Sequence, residues 1–225
     1  MSAISAGGDH RARNGPSPGE DDPRVIRSRA AVVEAARALF LEHGYAGTTM
    51  EDIAARAGIT KRTVYNNYAD KGALFTQIVT DVIASAEEFA RSLADDFAEG
   101  IIAADLSAAL HDLGTRLALA ILRPQVVALR RLLISEARSF PELARGYYDR
   151  APGRVIAALA AGFEHLGREG LLRVPDARRA AEQFAYLVAG DPLDRAVLVG
   201  TPPDREQVLA CARDGVETFL ARYGV

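Results

Sequence analysis

A short polar segment holds the side chains with the clearest chemical use. From Thr60 to Asn67 the chain reads TKRTVYNN, so two cations stand beside hydroxyl and amide groups. Lysine, arginine and threonine bind phosphate oxygens, and asparagine can pair with the edge of adenine. The segment therefore predicts a DNA-binding surface. With its neighbours, the candidate DNA contacts are Thr48, Thr49, Thr60, Lys61, Arg62, Thr63, Tyr65, Asn66, Asn67 and Lys71.

Four of these side chains have specific expected roles or open alternatives. Lys61 is expected to reach a phosphate or a guanine edge. Tyr65 is expected to combine packing of its ring with a hydrogen bond from its hydroxyl to phosphate. Asn66 and Asn67 either read adenine or cap and solvate the end of a short helix. Phosphate contacts would fix the register, and base contacts would carry the sequence preference.

Two short helices and a turn must position this surface. Thr49 can cap a helix that begins at Met50, since threonine is a favoured N-cap residue. Gly58 tolerates the positive φ of a tight turn, and Thr60 can cap a second helix over Lys61–Asn67. Asp70 then caps a third. Two short helices joined by a glycine turn predict a helix-turn-helix.

Charge is distributed unevenly along the chain. The net charge is −3 over 225 residues, yet Arg24 to Lys71 holds eight basic residues against five acidic ones. The remainder from residue 72 onward holds 17 basic and 21 acidic residues. Both lysines of the chain, Lys61 and Lys71, lie in the basic segment, either by chance or because they bind DNA. The local positive charge favours contact with phosphate.

The segment from Arg24 to Phe75 contains a characteristic set of residues: Ala35, Ala36, Leu39, Phe40, Gly44, Tyr45, Thr48, Thr49, Ile53, Ala54, Ala57, Gly58, Val64, Tyr65, Tyr68, Lys71 and Leu74. With these residues the segment resembles the DNA-binding domain of TetR/AcrR-type regulators. It departs from that pattern at Asn67, Tyr68 and Gly72; the first puts the preferred operator sequence in doubt, and the last weakens the start of a helix.

The whole chain is predicted to be all-α, with about nine helices. Every strong apolar pattern has helical spacing, and no convincing alternating strand occurs. We expect a disordered tail over 1–22. Arg11 and Arg13 in this tail, together with Arg24 and Arg27 after it, are either solvated or part of an arm reaching the minor groove. A helix-turn-helix domain over 23–70 and a larger helical domain over 71–225 follow. The fourth helix is expected to enter both domains.

The segment from Arg131 to Ala144 resembles AefR-like C-terminal domains, which implies a homodimer joined through the last two helices and a ligand cavity between the others. The interface stripes are either intermolecular or packed within the monomer; they consist of Phe184, Leu187, Val188, Val208, Leu209, Ala212, Val216 and Phe219. The candidate cavity residues are either lining or ordinary core and surface side chains; they are Phe89, Phe97, His111, Arg116, Tyr147, Tyr148 and His165.

Three arginines and the single cysteine each allow two interpretations. Arg130, Arg131 and Arg138 either meet an anionic ligand or form a solvated face, and the solvated face is the simpler interpretation. Cys211, the single cysteine, is either a redox sensor or a small buried apolar group. One cysteine allows no intramolecular disulfide, and no apolar run spans a membrane, so we expect a cytoplasmic protein.

These observations favour a regulator over other classes. No GxSxG, HExxH, glycine-rich phosphate loop or paired-cysteine motif occurs, and the four histidines are scattered, so we expect no enzyme, cofactor or metal site. The predicted function is a homodimeric repressor that leaves a palindromic DNA operator when a small-molecule effector binds. The alternatives are a ligand-independent regulator or activator, and a helical scaffold for protein partners.

Overall fold

A computed structural model describes residues 23–99 and 105–225. The predicted disordered tail over 1–22, with Arg11 and Arg13, lies outside the described residues. The described part contains eleven helices: α1 Pro23–His43, α2 Met50–Ala57, α3 Lys61–Asn67, α4 Lys71–Ala98, α5 Leu106–Ile121, α6 Pro124–Glu136, α7 Pro141–Arg150, α8 Pro152–Arg168, α9 Ala177–Leu187, α10 Gly190–Val199 and α11 Arg205–Tyr223.

The all-α prediction is confirmed, and the two helices beyond the expected nine arise at backbone breaks. Ala151, with φ −105° and ψ −88°, separates α7 from α8, and Pro152 then occupies the first turn of α8. Ala189 similarly precedes α10, whose third residue is Pro192. Proline is tolerated in a first turn because its missing N–H would have no helical partner there. Within the described ranges, no helix has the length and apolar character needed to cross a membrane.

Two hydrophobic cores lie along α4. The first, which we call the DNA-side core, joins residues of α1, α2 and α3 to Leu74, Phe75 and Ile78 of α4. The second, the effector-side core, joins Leu93 and Phe97 of α4 to α5, α8, α9 and α11. The prediction that the fourth helix enters both halves of the molecule agrees with this arrangement.

The DNA-side core extends beyond residue 70, where the sequence suggested a domain boundary. Leu129, Leu132 and Leu133 of α6 and Tyr147 of α7 are buried in it. These residues are distant in sequence from the helix-turn-helix, so apolar periodicity alone does not indicate that they complete its core. The DNA-binding half therefore shares buried surface with α6 and α7 as well as α4.

The predicted dimer stripes mostly face the interior of a single chain. Phe163 of α8 contacts Phe184 and Phe219 with ring centroids 5.4 Å and 4.9 Å away. Six of the stripe residues are at most 3% exposed because α5 and α8 already cover them, and this burial favours the alternative that they pack within the monomer. Those six are Phe184, Val188, Val208, Ala212, Val216 and Phe219. Leu187 and Leu209 are half-buried.

The last helices are held together by a close backbone approach. A Cβ added to Gly215 of α11 would lie 2.5 Å from the carbonyl oxygen of Leu187 and 2.9 Å from the nitrogen of Val188. Backbone atoms cannot swing aside as a side chain can. Cys211, one turn earlier, is half-buried and lies 3.6 Å from the same Leu187 oxygen, and burial raises the pKa of its thiol.

We expect Gly215→Ala to lower the free energy of unfolding by about 1–3 kcal/mol, because the added methyl must push two helices apart. Chemical denaturation would measure this change. Gly146→Ala is the matched control, since a Cβ there meets nothing within 4 Å. Within α7 that change should stabilise by about 0.5–1 kcal/mol. Equal effects of the two substitutions would contradict the packing argument.

Candidate nucleic-acid interface and effector cavity

The N-terminus of α2 is fixed by a reciprocal set of hydrogen bonds. The backbone nitrogen of Asp52 donates to the Thr49 hydroxyl at 3.1 Å, and the backbone nitrogen of Thr49 donates to the Asp52 carboxylate at 3.0 Å. The Thr49 hydroxyl also donates to that carboxylate at 2.6 Å. These hydrogen bonds lower the pKa of Asp52. The capping role predicted for Thr49 is therefore present as a capping box.

The turn and the second helix follow the predicted geometry. Gly58 has φ 66° and ends α2, and Thr60 accepts a hydrogen bond from the backbone nitrogen of Thr63 at 3.2 Å. Val64 is completely buried and holds α3 against the DNA-side core. Because Val64 fixes which side faces inward, the opposite side of α3 is presented to solvent.

The outer side of α3 carries five of the ten predicted DNA contacts. Lys61, Arg62 and Asn66 are exposed, and Tyr65 keeps 44% of its surface exposed. Thr60 is exposed at the helix start, and Thr63 is half-buried. Their two hydroxyl groups form a hydrogen bond of 2.8 Å with each other. We call the exposed set Thr60, Lys61, Arg62, Tyr65 and Asn66 the α3 outer face. It offers donors for phosphate and base edges on a short, fixed helix.

Lys61 is paired with an acidic residue of the preceding helix. Its ammonium group contacts the Glu51 carboxylate, and it lies 5.7 Å from the centroid of the Tyr65 ring. The hydrogen bond to Glu51 raises the pKa of Lys61 and lowers that of Glu51. Both side chains are more than half exposed, so solvent screens the pair. A phosphate would compete with Glu51 for the same cation.

Asn67 has a structural position at the end of α3. Its amide nitrogen donates to the carbonyl oxygen of Thr63 at 2.9 Å, and its amide oxygen accepts from Arg29 of α1 at 3.4 Å. It is half-buried. Of the two alternatives for this residue, these contacts favour helix capping over adenine reading, whereas Asn66 remains exposed.

Thr48 and Lys71 face inward, contrary to the predicted DNA contacts. Thr48 is 1% exposed and donates its hydroxyl proton to the carbonyl of Gly44 at 2.9 Å. The Lys71 ammonium donates to the carbonyls of Tyr45 and Thr48 at 2.5 Å and 2.8 Å and lies 4.4 Å from the Tyr45 ring centroid. The Thr48 side chain therefore offers no exposed surface for DNA, and Lys71 holds the loop between α1 and α2.

An apolar cavity of about 130 Å³ lies between α4, α5, α6, α7, α8 and the α9–α10 connection. Of the predicted lining residues, Phe89 and Tyr147 do border it. The polar lining residues Ser85, Arg123 and Tyr186 were not predicted. Arg130, for which an anionic ligand or a solvated face were the alternatives, also lines the cavity and donates a hydrogen bond to Tyr147 of α7 at 3.3 Å.

Five predicted cavity residues lie elsewhere. Phe97 packs in the effector-side core, with its ring 6.0 Å from that of Phe163. Arg116 forms ion pairs with Asp96 and Asp112 at 2.6 Å and 2.8 Å.

The other three are a tyrosine and two histidines. His111 Nδ1 lies 2.8 Å from the carbonyl oxygen of Ser107 in its own helix. Tyr148 is 52% exposed, and His165 is half-buried outside the lining. Across the described ranges, no group of three or more His, Cys, Asp or Glu side chains is placed to hold a metal ion.

We expect Thr49→Ala to raise the pKa of Asp52 toward its ordinary value, because two hydrogen bonds from Thr49 hold it low. A folded pKa below the ordinary value means that the ionised carboxylate contributes stability above that value. This contribution disappears as pH falls through the folded pKa, so the variant should lose less stability on acidification.

Carboxyl-carbon NMR titration would measure both Asp52 and an internal control. Glu42 is the control, since its pKa is lowered by the hydrogen bond from Arg56, away from Thr49. An unchanged Asp52 titration in Thr49→Ala would contradict the capping-box assignment.

Two protein-family models match the chain. Residues 32–78 match the model for bacterial regulatory proteins of the tetR family, and residues 108–225 match the AefR-like transcriptional repressor C-terminal domain. The HTH-type transcriptional repressor SCO4008 of Streptomyces coelicolor is 40% identical over 58 residues. That alignment spans 26% of this chain and 29% of SCO4008, so the likeness concerns less than a third of either protein.

Solved structures resemble nearly the whole chain. A TetR-family transcriptional regulator from Mesorhizobium loti MAFF303099 is 31% identical with a TM-score of 0.76, over 91% of this chain and all of that one. The flavonoid-responsive regulator FrrA is also 31% identical, with a TM-score of 0.63, over 88% of this chain and 98% of FrrA. The chain therefore belongs to the TetR family of DNA-binding transcriptional regulators, which are not enzymes, as its sequence predicted.

Proposed function

We propose that the protein is a homodimeric repressor that occupies a palindromic operator and leaves it when a small molecule enters the effector cavity. The observation that carries this proposal is the α3 outer face, presented by two capped helices with Val64 anchored beneath it. Such a face can enter the major groove, where side chains distinguish base pairs. Because the operator is chromosomal DNA, we propose a cytoplasmic location.

A dimer would use the outer sides of α9 and α11. Their inner sides are covered within the chain, whereas Gln183 and Tyr186 of α9 and Arg213 and Glu217 of α11 are exposed. To bind two half-sites on one face of DNA, the dimer must hold its two α3 helices about 34–36 Å apart, one turn of DNA. In sedimentation equilibrium, the chain should then have twice its monomer mass of 24.1 kDa.

Release would begin at α4, which borders the cavity and also fills the DNA-side core. Val82, Ala86 and Phe89 line the cavity, while Leu74 and Phe75 are buried beside the helix-turn-helix. A ligand that displaces α4 would change the separation of the two α3 helices. It must bind the released conformation more tightly than the DNA-bound one, since otherwise it would not shift the equilibrium.

A second connection runs through α7. Phe140, just before this helix, has its ring 5.1 Å from that of Tyr45 and 5.2 Å from that of Phe75. Tyr147, two turns later, borders the cavity. A shift of α7 would therefore reach Tyr45, whose carbonyl is held by Lys71. FrrA, described as flavonoid-responsive, supports control by a small molecule.

Fluorescence anisotropy on DNA from upstream of the protein's own coding region, against scrambled DNA, tests the proposal. We expect sequence-selective binding that weakens as salt rises, because bound cations displace counterions from phosphate. Equal, weak binding to both DNAs would contradict regulation of its own gene. The absence of any selective site in genome-wide DNA selection would contradict the proposal itself and favour a protein-binding scaffold.

Lys61→Ala should weaken operator binding and reduce the dependence of affinity on salt by about one counterion. Circular dichroism would check that the variant is folded. Arg138→Ala is the matched control, because it removes one exposed positive charge from the turn after α6, away from the α3 outer face. Wild-type affinity and salt dependence in a folded Lys61→Ala protein would show that Lys61 does not bind DNA.

A further inference from the structure

The charged residues that line the apolar cavity, which we call the effector cavity, are all basic. Two arginines, Arg123 and Arg130, border it, whereas none of its lining residues is acidic. The other lining groups are apolar apart from Ser85 and two tyrosines. We propose that the cavity binds a single-ring aromatic carboxylate, with the carboxylate on Arg130 and the ring among the apolar walls. This inference rests on the proposed function, since it names the chemical class of the effector.

The Arg130 guanidinium is placed to bind an anion. It is half-buried, and its Nε donates to the Tyr147 hydroxyl at 3.3 Å. Among the described residues, no carboxylate lies within 4.0 Å of its guanidinium nitrogens. Glu87 of α4 is engaged elsewhere, because Arg150 donates to it at 3.0 Å. An incoming carboxylate therefore meets no internal competitor paired with Arg130.

Tyr147 is placed to support the same anion. Its hydroxyl oxygen accepts the hydrogen bond from Arg130, so its own proton remains available for a second acceptor. A carboxylate between the two groups could accept from the guanidinium and from the hydroxyl. Hydrogen bonds that involve charged partners are shorter and roughly twice as strong as neutral ones. The pair therefore selects an anion over a neutral ring.

The size and walls of the cavity select the rest of the ligand. Phe89, Val126 and Ile156 are among the apolar lining residues. The volume of about 130 Å³ is close to that of engineered cavities of about 150 Å³ that bind benzene. One aromatic ring matches this space, with the acidic group directed toward Arg130 at the α6–α7 side.

Occupancy of this position would act directly on the α7 connection. Arg130 belongs to α6 and Tyr147 to α7, so their hydrogen bond joins the two helices. A carboxylate that binds both side chains would replace the direct Arg130–Tyr147 hydrogen bond by two hydrogen bonds to the ligand, one from each helix. Because Phe140 precedes α7 and packs on Tyr45 and Phe75, a change in this contact reaches the DNA-side core.

Isothermal titration calorimetry with sodium benzoate and with benzamide, its neutral isostere, tests the inference on the full chain without DNA. We expect one benzoate per chain, bound at least about 10-fold more tightly than benzamide, because only benzoate gains the charge-assisted hydrogen bonds. Arg130→Gln should weaken benzoate about 10- to 100-fold and remove the preference. Tyr147→Phe should weaken it less, since the guanidinium remains.

Arg138→Gln is the matched control, since it removes an arginine outside the cavity and should leave benzoate binding unchanged. Three outcomes would overturn the inference: no benzoate binding, equal binding of benzoate and benzamide, or undiminished benzoate binding by folded Arg130→Gln. Because DNA is absent, failure here is separate from failure of operator binding. Selective operator binding without benzoate binding would leave the repressor proposal in place and reject this ligand class.

Discussion

One continuous helix is buried at both ends in different cores, and this constraint organises the molecule. The 28 residues of α4 span about 42 Å at 1.5 Å per residue. Leu74 and Phe75 at one end, and Leu93 and Phe97 at the other, are nearly inaccessible to solvent. Neither half can reposition α4 alone without exposing apolar surface, so packing changes around the cavity must be accommodated around the helix-turn-helix.

Close packing also determines which parts of the molecule can respond. Gly215 brings α11 against the end of α9, and Gly114 leaves room for Val216, since a Cβ there would lie 2.5 Å from its methyl group. These contacts make the final helices a tight unit. By contrast, α6 and α7 meet across the cavity through the 3.3 Å hydrogen bond between Arg130 and Tyr147. The α6–α7 side thus includes a polar contact at the cavity that a bound ligand could alter, whereas the last helices are held by close backbone packing.

Local signals predicted the helix-turn-helix well, because its caps depend on residues three or four positions apart. Thr49, Thr60 and Asp70 cap helices, and Gly58 adopts the left-handed turn, as expected. Lys71 shows the limit of such reasoning. A lysine in the first turn of a helix near a DNA-binding segment suggests phosphate contact, whereas the carbonyls that bind it lie more than 20 residues earlier.

Long-range packing explains the other differences. The stripes on α9 and α11 have the spacing of an interface, but that spacing cannot say whether the covering surface belongs to the same chain. Phe97 likewise has the size of a lining residue, yet it packs on Gly162, where a Cβ would collide with its ring. Gly72 seemed only to weaken a helix start. An added Cβ would lie in ordinary contact with the Tyr45 hydroxyl and the Phe140 ring, at 3.6 Å and 3.9 Å, and its only tight approach would be 3.2 Å to the carboxylate of Asp70, the residue that caps the same helix.

The scarcity of lysine has a practical consequence for binding assays. Only Lys61 and Lys71 carry side-chain amines in this chain, and the amine of Lys71 is engaged by two carbonyls. Lys61 is thus the accessible lysine for amine-directed attachment to a sensor surface, and it lies on the α3 outer face. Protein immobilised through Lys61 would be attached by α3, the helix proposed to enter the major groove. Attachment through another group, or immobilisation of the DNA, keeps that helix available.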